Sequence, residues 1–309
     1  MRLVTPTVTK RTEITPYTRR MSKNPLRRLS EQLLLTSMRP SLIDTLGARD
    51  DIDIAGKRIL LTGASSGIGE AAAEKFAARG ATVIAVARRA DLLDALVGRI
   101  TAAGGSAQAH AVDLSDVDAI DGLVETVERE HGGIDILINN AGRSIRRPLA
   151  ESLERWHDVE RTMTLNYYSP LRLIRGLAPG MRERRDGHII NVATWGVMNE
   201  SAPLFAVYNA SKAALAAVSR VIETEWSAVG VKSTTLYYPL VKTPMIAPTR
   251  AYDDLPGLSA SEAADWMLTA ARGRPVQIAP RMAVTAKALN TVVPGLVDAV
   301  MKRQRVQPA

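Results

Sequence analysis

The chain of 309 residues is 46% hydrophobic, which is enough for a sizeable core in one large α/β domain or two small ones. Cysteine is absent, which excludes disulfides, thiolate metal sites and cysteine nucleophiles. The net charge of +8 does not indicate a nucleic-acid partner, because residues 1–40 hold nine Lys or Arg against two Glu and the rest of the chain carries only +1.

The sequence predicts neither a structural metal nor a membrane-spanning segment. No run approaches the roughly 20 apolar residues that span a bilayer, and the first thirty residues lack the apolar core of a secretory signal. A cytoplasmic protein is therefore expected. The four histidines are scattered along the chain with no pair at ligand spacing: His110, His131, His157 and His188.

Residues 1–56 form a basic N-terminal arm. Residues 1–23 show no helical or strand period and are predicted to be mobile. Asn24 and Pro25 are suited to begin a short helix, and residues 40–56 form a connector. The helix either docks on the body or another subunit, or rests on an anionic membrane surface. Both interpretations depend on its apolar stripe beside Arg27 and Arg28, which comprises Leu26, Leu29, Leu33 and Leu34.

From Lys57 onward, short apolar runs alternate with longer helical patterns, as is typical of βαβ units. The sequence therefore predicts an α/β fold, a single-domain Rossmann-type doubly wound sheet of seven parallel strands with helices on both faces. Ligands should lie beyond the carboxyl ends of the strands. This domain should span residues 57–285, followed by a helical basic extension over 286–309. The predicted strands are Arg58–Leu61, Thr82–Ala87, Ala107–Val112, Ile134–Ile138, His188–Val192, Val231–Tyr238 and Val276–Ala279.

A glycine-rich turn directly follows the first predicted strand. Residues 62–69 read T-G-A-S-S-G-I-G and precede the helical run 70–79. Glycines at a strand-to-helix turn let the backbone approach a pyrophosphate, and the helix N-terminus behind them offers unpaired N–H groups and the positive end of a dipole. The position of the turn therefore indicates a phosphate-binding site.

Tyr208 and Lys212 lie four residues apart on a predicted helix and therefore share a face. A cation beside a phenol favours the phenolate and lowers the pKa of the phenol from its usual value of about 10. Such a pair is able to move a proton at an oxygen atom, although the same spacing occurs by chance on many helices.

Five motifs, in this order, resemble those of the short-chain dehydrogenase/reductase family. They are the turn T-G-x-x-x-G-x-G, Asp113-Leu114 after the third strand, N-N-A-G at 139–142, Asn166 within a helix, and Y-x-x-x-K at Tyr208 and Lys212. The resemblance runs from about Lys57 to about Val241. It implies a nicotinamide cofactor bound by Gly63, Ser65, Ser66, Gly67, Ile68, Gly69, Asp113, Leu114, Asn140, Ala141, Gly142, Tyr208, Lys212, Pro239 and Thr243.

The end of the second strand suggests which cofactor is used. Ala87 stands where NAD-preferring members of the family carry Asp, and Arg88 and Arg89 follow it. A carboxylate there would bind the ribose diol of NAD, whereas a guanidinium binds a 2'-phosphate. NADPH is therefore predicted as the preferred cofactor, with Arg88 as the principal phosphate contact and Arg89 as a second. Alternatively, both arginines are simply solvated at a helix start.

The resemblance also implies catalytic roles. Lys212 would bind the nicotinamide ribose and lower the pKa of Tyr208, which would protonate a carbonyl oxygen as hydride arrives. Thr194 stands where the family uses Ser to hold that oxygen; it keeps the hydroxyl but adds a methyl group. Asn166 would interrupt its helix and support a water that passes protons from Lys212 to solvent. The alternatives are an ordinary strand-end Thr and an Asn satisfied within a buried helix.

Residues 240–272 correspond to the family's substrate lid, with Leu240 where Gly is usual. Two interpretations remain open: a cover over a long apolar substrate, or a satellite core beneath a long connection. Both rest on the same apolar set, Ile246, Tyr252, Leu255, Leu258, Trp266 and Met267.

Residues 237–241, 245–249 and 278–281, with the predicted helix over 259–266, resemble the reductase domain of bacterial, especially actinobacterial, fatty acyl-CoA reductases. This implies reduction of a long-chain acyl-CoA to an aldehyde, with Arg143, Arg146 and Arg147 either contacting CoA phosphates or solvated. The alternatives are a ketone, 3-oxoacyl or hydroxysteroid dehydrogenase, and a non-enzymatic NADP-sensing regulator, which would not need Tyr208 and Lys212. The resemblance implies a homodimer or homotetramer. Residues 287–305 form a second basic amphipathic piece that, with the arm, favours peripheral contact with lipid.

Overall fold

The computed structural model describes residues 38–40, 51–247, 249, 252 and 255–303. The predicted mobile segment and the predicted helix that begins at Asn24 lie outside these residues.

Among the described residues, eight strands form the central sheet, and all seven predicted strands are among them. The order is β1-β10-β7-β6-β5-β2-β3-β4, in which every pair except β1–β10 is parallel. A separate parallel pair, β8–β9, lies outside it. The strands are β1 Met38–Pro40, β2 Arg58–Thr62, β3 Thr82–Ala87, β4 Ser106–Ala111, β5 Ile136–Asn139, β6 Gly187–Thr194, β7 Val231–Tyr238, β8 Val241–Lys242, β9 Leu258–Ser259 and β10 Gln277–Pro280.

Helices cover both faces of the sheet, as predicted. Side chains from α1, α2 and α7 pack on one face, and those from α3, α5 and α6 pack on the other. The helices are α1 Gly67–Ala77, α2 Ala90–Ala102, α3 Ala119–His131, α4 Trp156–Met163, α5 Ser169–Arg184, α6 Ala206–Trp226, α7 Ala260–Gly273, α8 Arg281–Val292 and α9 Pro294–Arg303.

The central strands are apolar on both sides because both of their faces are covered. In β2, Ile59 faces the cluster of α1 and α2, whereas Leu60 faces the cluster of α3 and α5, and neither is exposed to solvent. Strand order reverses between β2 and β5, since the chain moves outward to β3 and β4 and then returns to β5. A crevice therefore opens at the carboxyl ends of β2 and β5.

The antiparallel strand β1 was not predicted from the sequence. It pairs Met38 with Pro280 and Pro40 with Ile278 at one edge of the sheet. Three residues are too few to display a strand period, so only the pairing with β10 identifies them.

The later part of the predicted connector packs against the domain that follows it. Ile54 is buried, and the N–H of Ile52 donates to the carbonyl of Arg272 at 3.0 Å.

Within the described ranges, no helix combines the length and the apolar character that crossing a membrane requires.

Candidate active site

The turn between β2 and α1 is packed so closely that its glycine positions have little or no room for a Cβ atom. Gly63 and Gly67 have φ angles of +69° and +62°, which favour glycine. A Cβ on Gly69 would lie 2.2 Å from the carbonyl oxygen of Gly63. The first turn of α1 is therefore drawn against the end of β2, with its N-terminus facing the crevice. This geometry fits a bound phosphate group.

Thr62 joins the glycine turn to the loop after β5. Its hydroxyl donates to the carbonyl of Ile138 at 3.1 Å and accepts from the N–H groups of Asn140 and Ala141 at 2.9 and 3.0 Å. The side chain of Asn140 donates in return to the carbonyl of Thr62 at 2.9 Å. Sequence analysis gave Thr62 no role of its own, although it begins the motif. The structure shows that it aligns the two loops on either side of the crevice.

Arg89 and Arg88 are placed differently. Arg89 Nη2 donates to the hydroxyls of Ser65 and Ser66 at 3.1 and 2.9 Å, so its guanidinium rests on the glycine turn. Arg88 is 70% exposed, and its Nη1 lies 3.9 Å from Asp113 Oδ2. Both guanidinium groups thus stand at the end of β3, one held by the turn and the other in solvent.

Asp113 and Leu114 follow β4 on the same side of the crevice. The Asp113 carboxylate accepts the N–H of Ser115 at 2.9 Å, which fixes a local turn. Leu114 is buried and packs with Val86 of β3. The turn therefore holds the backbone beside the ends of β3 and β4.

Tyr208, near the start of α6, reaches Thr194 at the end of β6. Burial raises the pKa of Tyr208 to about 12, and the nearby Thr194 hydroxyl opposes this rise only in part. The direction is opposite to the predicted lowering of the pKa by Lys212. The reason is that removing water from a phenolate is costly, and this cost dominates here.

Lys212 is 3% exposed, and its Nζ donates to the carbonyl of Val192 at 2.8 Å. Burial lowers the pKa of Lys212 to about 8. A Cβ added to Gly142 would lie 3.3 Å from Lys212 Nζ and 3.2 Å from Asn166 Oδ1. Gly142 therefore gives the ammonium and the amide room to approach the same stretch of backbone.

Asn166 lies in a π-helical segment, Thr164–Tyr168, between α4 and α5. Its Oδ1 accepts the N–H of Arg143 at 2.9 Å, and its Nδ2 donates to the carbonyl of Arg143 at 2.9 Å and to Ser211 Oγ at 3.0 Å. Ser211 Oγ donates onward to the carbonyl of Tyr208 at 2.7 Å. The side chain thus links the loop after β5 to α6. Ser211 is a linking residue that sequence analysis overlooked, although it lies within the Tyr208–Lys212 motif.

Replacing Lys212 by Met is expected to change how stability depends on pH. The unfolded chain keeps the lysine proton up to about pH 10.5, whereas the native chain releases it near pH 8. Between these values the unfolded state binds more protons, so wild-type stability rises with pH and the buried charge is most costly below pH 8. The stability of Lys212→Met relative to wild type should therefore fall by about 2 kcal/mol between pH 7 and 9.5. Urea unfolding of the two cofactor-free proteins at both pH values would measure this change. The same stability difference between variant and wild type at pH 7 and pH 9.5 would contradict the prediction.

The segment predicted as a lid divides into two parts. Leu258, Trp266 and Met267 are buried in the core against α1, and the Tyr238 hydroxyl donates to the carbonyl of Ala263 at 2.6 Å. Helix α7 is therefore a core helix, and the satellite-core interpretation applies to it. By contrast, Met245 is 56% exposed. The segment between β8 and β9 remains as the part that is able to cover a substrate.

Pro239 and Thr243 flank the start of that segment. Pro239 is buried directly after β7, and the methyl group of Thr243 would lie 3.2 Å from a Cβ on Gly67. Thr243 therefore faces the glycine turn across the crevice, on the side where Tyr208 and Lys212 also lie.

The three arginines after β5 have different environments. Arg147 forms an ion pair with the buried Asp158, which also accepts a hydrogen bond from Arg155. These bonds lower the pKa of Asp158 to about 2. Burial lowers the pKa of Arg143. Burial raises the pKa of Tyr252, and the positive charge of the nearby Arg146 opposes that rise in part. Arg147 thus belongs to a structural ion pair, whereas Arg146 lies at the segment between β8 and β9.

Comparison with known proteins agrees with this geometry. The model of the short chain dehydrogenase family matches residues 57–254. A relative named fatty acyl-CoA reductase, from Mycobacterium tuberculosis, is 68% identical over 291 residues, covering 93% of this chain and 99% of the relative. A second relative of that name, from Acinetobacter baylyi, is 44% identical over 249 residues, covering 81% and 84%.

A solved metagenomic short-chain oxidoreductase in complex with NADP is 31% identical, with a TM-score of 0.62, and the match covers 72% of this chain and 92% of that one. The family match and the two relatives lead to the same assignment as the Tyr208–Lys212 and glycine-turn geometry. The chain belongs to the short-chain dehydrogenase/reductase family of oxidoreductases, in the branch that includes these two relatives.

Proposed function

We propose that this protein uses NADPH to reduce a long-chain fatty acyl-CoA thioester to the aldehyde. The observation that carries the chemical part is the Tyr208 phenol, which lies beside the Thr194 hydroxyl and has its pKa raised to about 12 by burial. A phenol with this pKa remains protonated at neutral pH, so it is ready to donate a proton to an oxygen that gains negative charge. The names of the two relatives support the substrate class.

The residues around the crevice fit a dinucleotide cofactor. The N-terminus of α1 and the glycine turn would hold the pyrophosphate, Arg88 and Arg89 the 2'-phosphate, and Asp113 and Leu114 the adenine side. Pro239 and Thr243 would bound the nicotinamide end. When bound, the cofactor supplies the hydride for the carbonyl carbon. The close approach of the N-terminus of α1 to the end of β2, which depends on glycine at positions 63 and 69, is the local feature that supports this assignment.

The protein's own groups would then act on the oxygen of the thioester. Thr194 donates a hydrogen bond that holds this oxygen, and Tyr208 donates its proton to it as charge develops. Lys212 would bind the cofactor ribose and return a proton to Tyr208, assisted by Asn166, whose side chain fixes the loop above it. Release of CoA requires that the oxygen lose this proton again, and the Tyr208 phenolate is placed to accept it before Lys212 returns a proton. The carbonyl double bond then re-forms as the carbon–sulfur bond breaks, and CoA leaves as a thiolate that takes its proton from solvent.

Cofactor preference should depend on the two arginines at the end of β3. Arg88→Ala is expected to lower kcat/KM with NADPH by about 10–100-fold, because a charge-assisted hydrogen bond is worth about 1.5–3 kcal/mol. The value with NADH should change only slightly. Arg89→Ala should have a smaller effect of the same kind, since Arg89 already bonds Ser65 and Ser66. Arg79→Ala, an exposed arginine beyond the other end of α1, is the control. Equal losses with both cofactors would contradict the assignment.

The segment between β8 and β9 supports an apolar substrate bound near cationic groups. Met245 and Leu255 are exposed there, and the positive charge of Arg146 lies close enough to Tyr252 to oppose the rise in its pKa that burial causes. A long acyl chain would cover the apolar side chains, while Arg146 and Arg143 stand where CoA phosphates would arrive. Arg147 is left out of this proposal because it already pairs with Asp158.

Substrate identity is tested by following NADPH oxidation against acyl-CoAs of increasing chain length, simple ketones, 3-oxoacyl thioesters and steroid ketones. The product is identified by mass spectrometry. Aldehyde and free CoA in equal amounts, with the highest kcat/KM for long acyl chains, would support the proposal. Turnover of ketones without turnover of thioesters would assign the protein to the alternative, a ketone or 3-oxoacyl reductase of the same family.

Peripheral contact with an anionic membrane is the second part of the proposal. Leu289, Val292 and Leu296 on α8 and α9 are exposed to 45, 78 and 55%, beside the exposed Lys287 and Lys302. An exposed apolar surface with cations at its margin is suited to the headgroup region. The protein should therefore float with anionic liposomes and not with neutral ones; absence of association with either would contradict it.

Self-association into a homodimer or homotetramer is proposed for the surface formed by the π-helical segment and α6. Two large apolar side chains on these elements are exposed, Tyr168 at 48% and Val221 at 51%, and association would remove them from water. Light scattering on the purified protein measures the mass, and a monomer at micromolar concentration would contradict the proposal.

A further inference from the structure

Three side chains with metal-ligating atoms meet at the edge of the sheet far along the chain from Tyr208. His110 lies on β4, and Glu130 and His131 end α3. One donor atom from each lies within 4.8 Å of the other two. The histidine rings of His110 and His131 are 6.1 Å apart between centroids. The expectation that the histidines are scattered therefore fails in three dimensions for this pair.

The two imidazoles have nitrogen atoms that the protein does not satisfy. Nε2 of His110 and Nε2 of His131 are buried and have no hydrogen-bond partner among the described residues. A buried polar atom without a partner costs about 1–3 kcal/mol, so native proteins normally supply one. Two such atoms from adjacent elements, facing one carboxylate, point to a shared ligand.

We propose that His110 Nε2, His131 Nε2 and a carboxylate oxygen of Glu130 bind one divalent transition-metal ion of the Zn²⁺ class. Two imidazoles and one carboxylate form a donor set that zinc accepts, with solvent at the fourth position. Metal–donor distances of about 2.1 Å put tetrahedral donors roughly 3.4 Å apart, so the three side chains draw together on binding. The ion class follows from imidazole ligation, which Ca²⁺ and Mg²⁺ disfavour.

Neighbouring charges permit this binding. Glu130 pairs with Arg129 at 3.1 Å, but both side chains are exposed, and an ion pair of that kind contributes only about 0–1 kcal/mol. The guanidinium of Arg58 donates to the carbonyls of His131 and Gly132 at 2.8 and 2.9 Å. Its charge is balanced by Asp135 at 2.7 Å. A metal ion at this site would therefore displace only Arg129, the weakly held partner of Glu130. It would meet little repulsion from Arg58, because Asp135 balances that charge.

The ion would join the edge strand β4 to the end of α3. Within the part of the chain that the structure describes, β4 is the last strand of the sheet and pairs only with β3. Asp113 and Leu114 follow His110 by three and four residues, so the link would also restrain the loop proposed to hold the adenine. Because the ion binds the native state and not the separated elements of the unfolded chain, it should raise the unfolding temperature.

The test is calorimetric titration of ZnCl₂ into the full chain, without an affinity tag and after removal of bound metal with a chelator. One ion per chain with micromolar or tighter Kd is expected, together with a rise in Tm. His110→Ala and His131→Ala should each weaken binding at least about tenfold, whereas His157→Ala, at an exposed histidine on α4, should not.

Glu130→Gln keeps an exposed side chain of the same shape, so it should fold normally, and it should also weaken binding. Substitution by Co²⁺ gives a second readout, since a tetrahedral site produces visible absorption that the His110 variant should lose. Absence of binding by the wild-type chain would overturn the proposal. Equal affinities of the wild-type chain and the three ligand variants would also overturn it, because the zinc would then be bound elsewhere.

Discussion

Tyr208→Phe is expected to lower kcat by about 10²–10⁴-fold while leaving the Kd for NADPH within a few-fold of wild type. The substitution removes only the hydroxyl that lies beside Thr194. The ring, which packs against Phe205 with centroids 6.1 Å apart, remains. Because the lost group donates its proton in the transition state and not during cofactor binding, kcat should fall and binding should persist.

Stopped-flow measurement of hydride transfer, with NADPH binding followed by fluorescence, separates the two effects. Tyr168→Phe is the matched control, since it removes an exposed phenol from the neighbouring π-helical segment. It should leave kcat unchanged. A Tyr208→Phe variant with near wild-type turnover would show that another group protonates the substrate oxygen.

Gly69→Ala should abolish tight cofactor binding, with Kd for NADPH raised at least about 100-fold, and should also lower the unfolding temperature. The added Cβ would lie 2.2 Å from the carbonyl oxygen of Gly63 and 2.9 Å from Asn140 Nδ2. The first of these is a backbone atom, so no side-chain rotation relieves the overlap. Helix α1 must therefore move away from β2, which displaces the N–H groups proposed to hold the pyrophosphate.

Gly98→Ala is the matched control, because it shows whether the effect of Gly69→Ala depends on the place of that glycine or follows from replacing any helical glycine by Ala. Gly98 lies within α2, and a Cβ there meets no atom within 4 Å among the described residues. Ala in a helix interior is more favourable than Gly by roughly 0.5–1 kcal/mol, so this variant should be slightly more stable and bind NADPH normally. Calorimetric unfolding and NADPH titration of both variants provide the comparison. Similar behaviour of the two would argue against steric control at the turn.

The sequence alone predicted the parallel sheet, the two helical layers and the glycine turn. These features depend on patterns within short stretches of the sequence, so no knowledge of distant residues is needed. Apolar runs such as Thr82–Ala87 are buried on both sides, and they show this as continuous hydrophobicity. Tyr208 and Lys212 share a helix face for the same local reason, so their proximity needed no knowledge of the rest of the chain.

Other features were decided only by the tertiary structure, because they depend on contacts between distant residues or on the removal of water. The strand Met38–Pro40 exists through its pairing with β10, and Trp266 belongs to the core because α7 packs against α1. Whether Lys212 would lower the pKa of Tyr208 could not be judged from their spacing, since burial outweighs it and raises that pKa. His110 and His131 are 21 positions apart in the sequence, and they meet only because the fold brings the end of α3 back to β4.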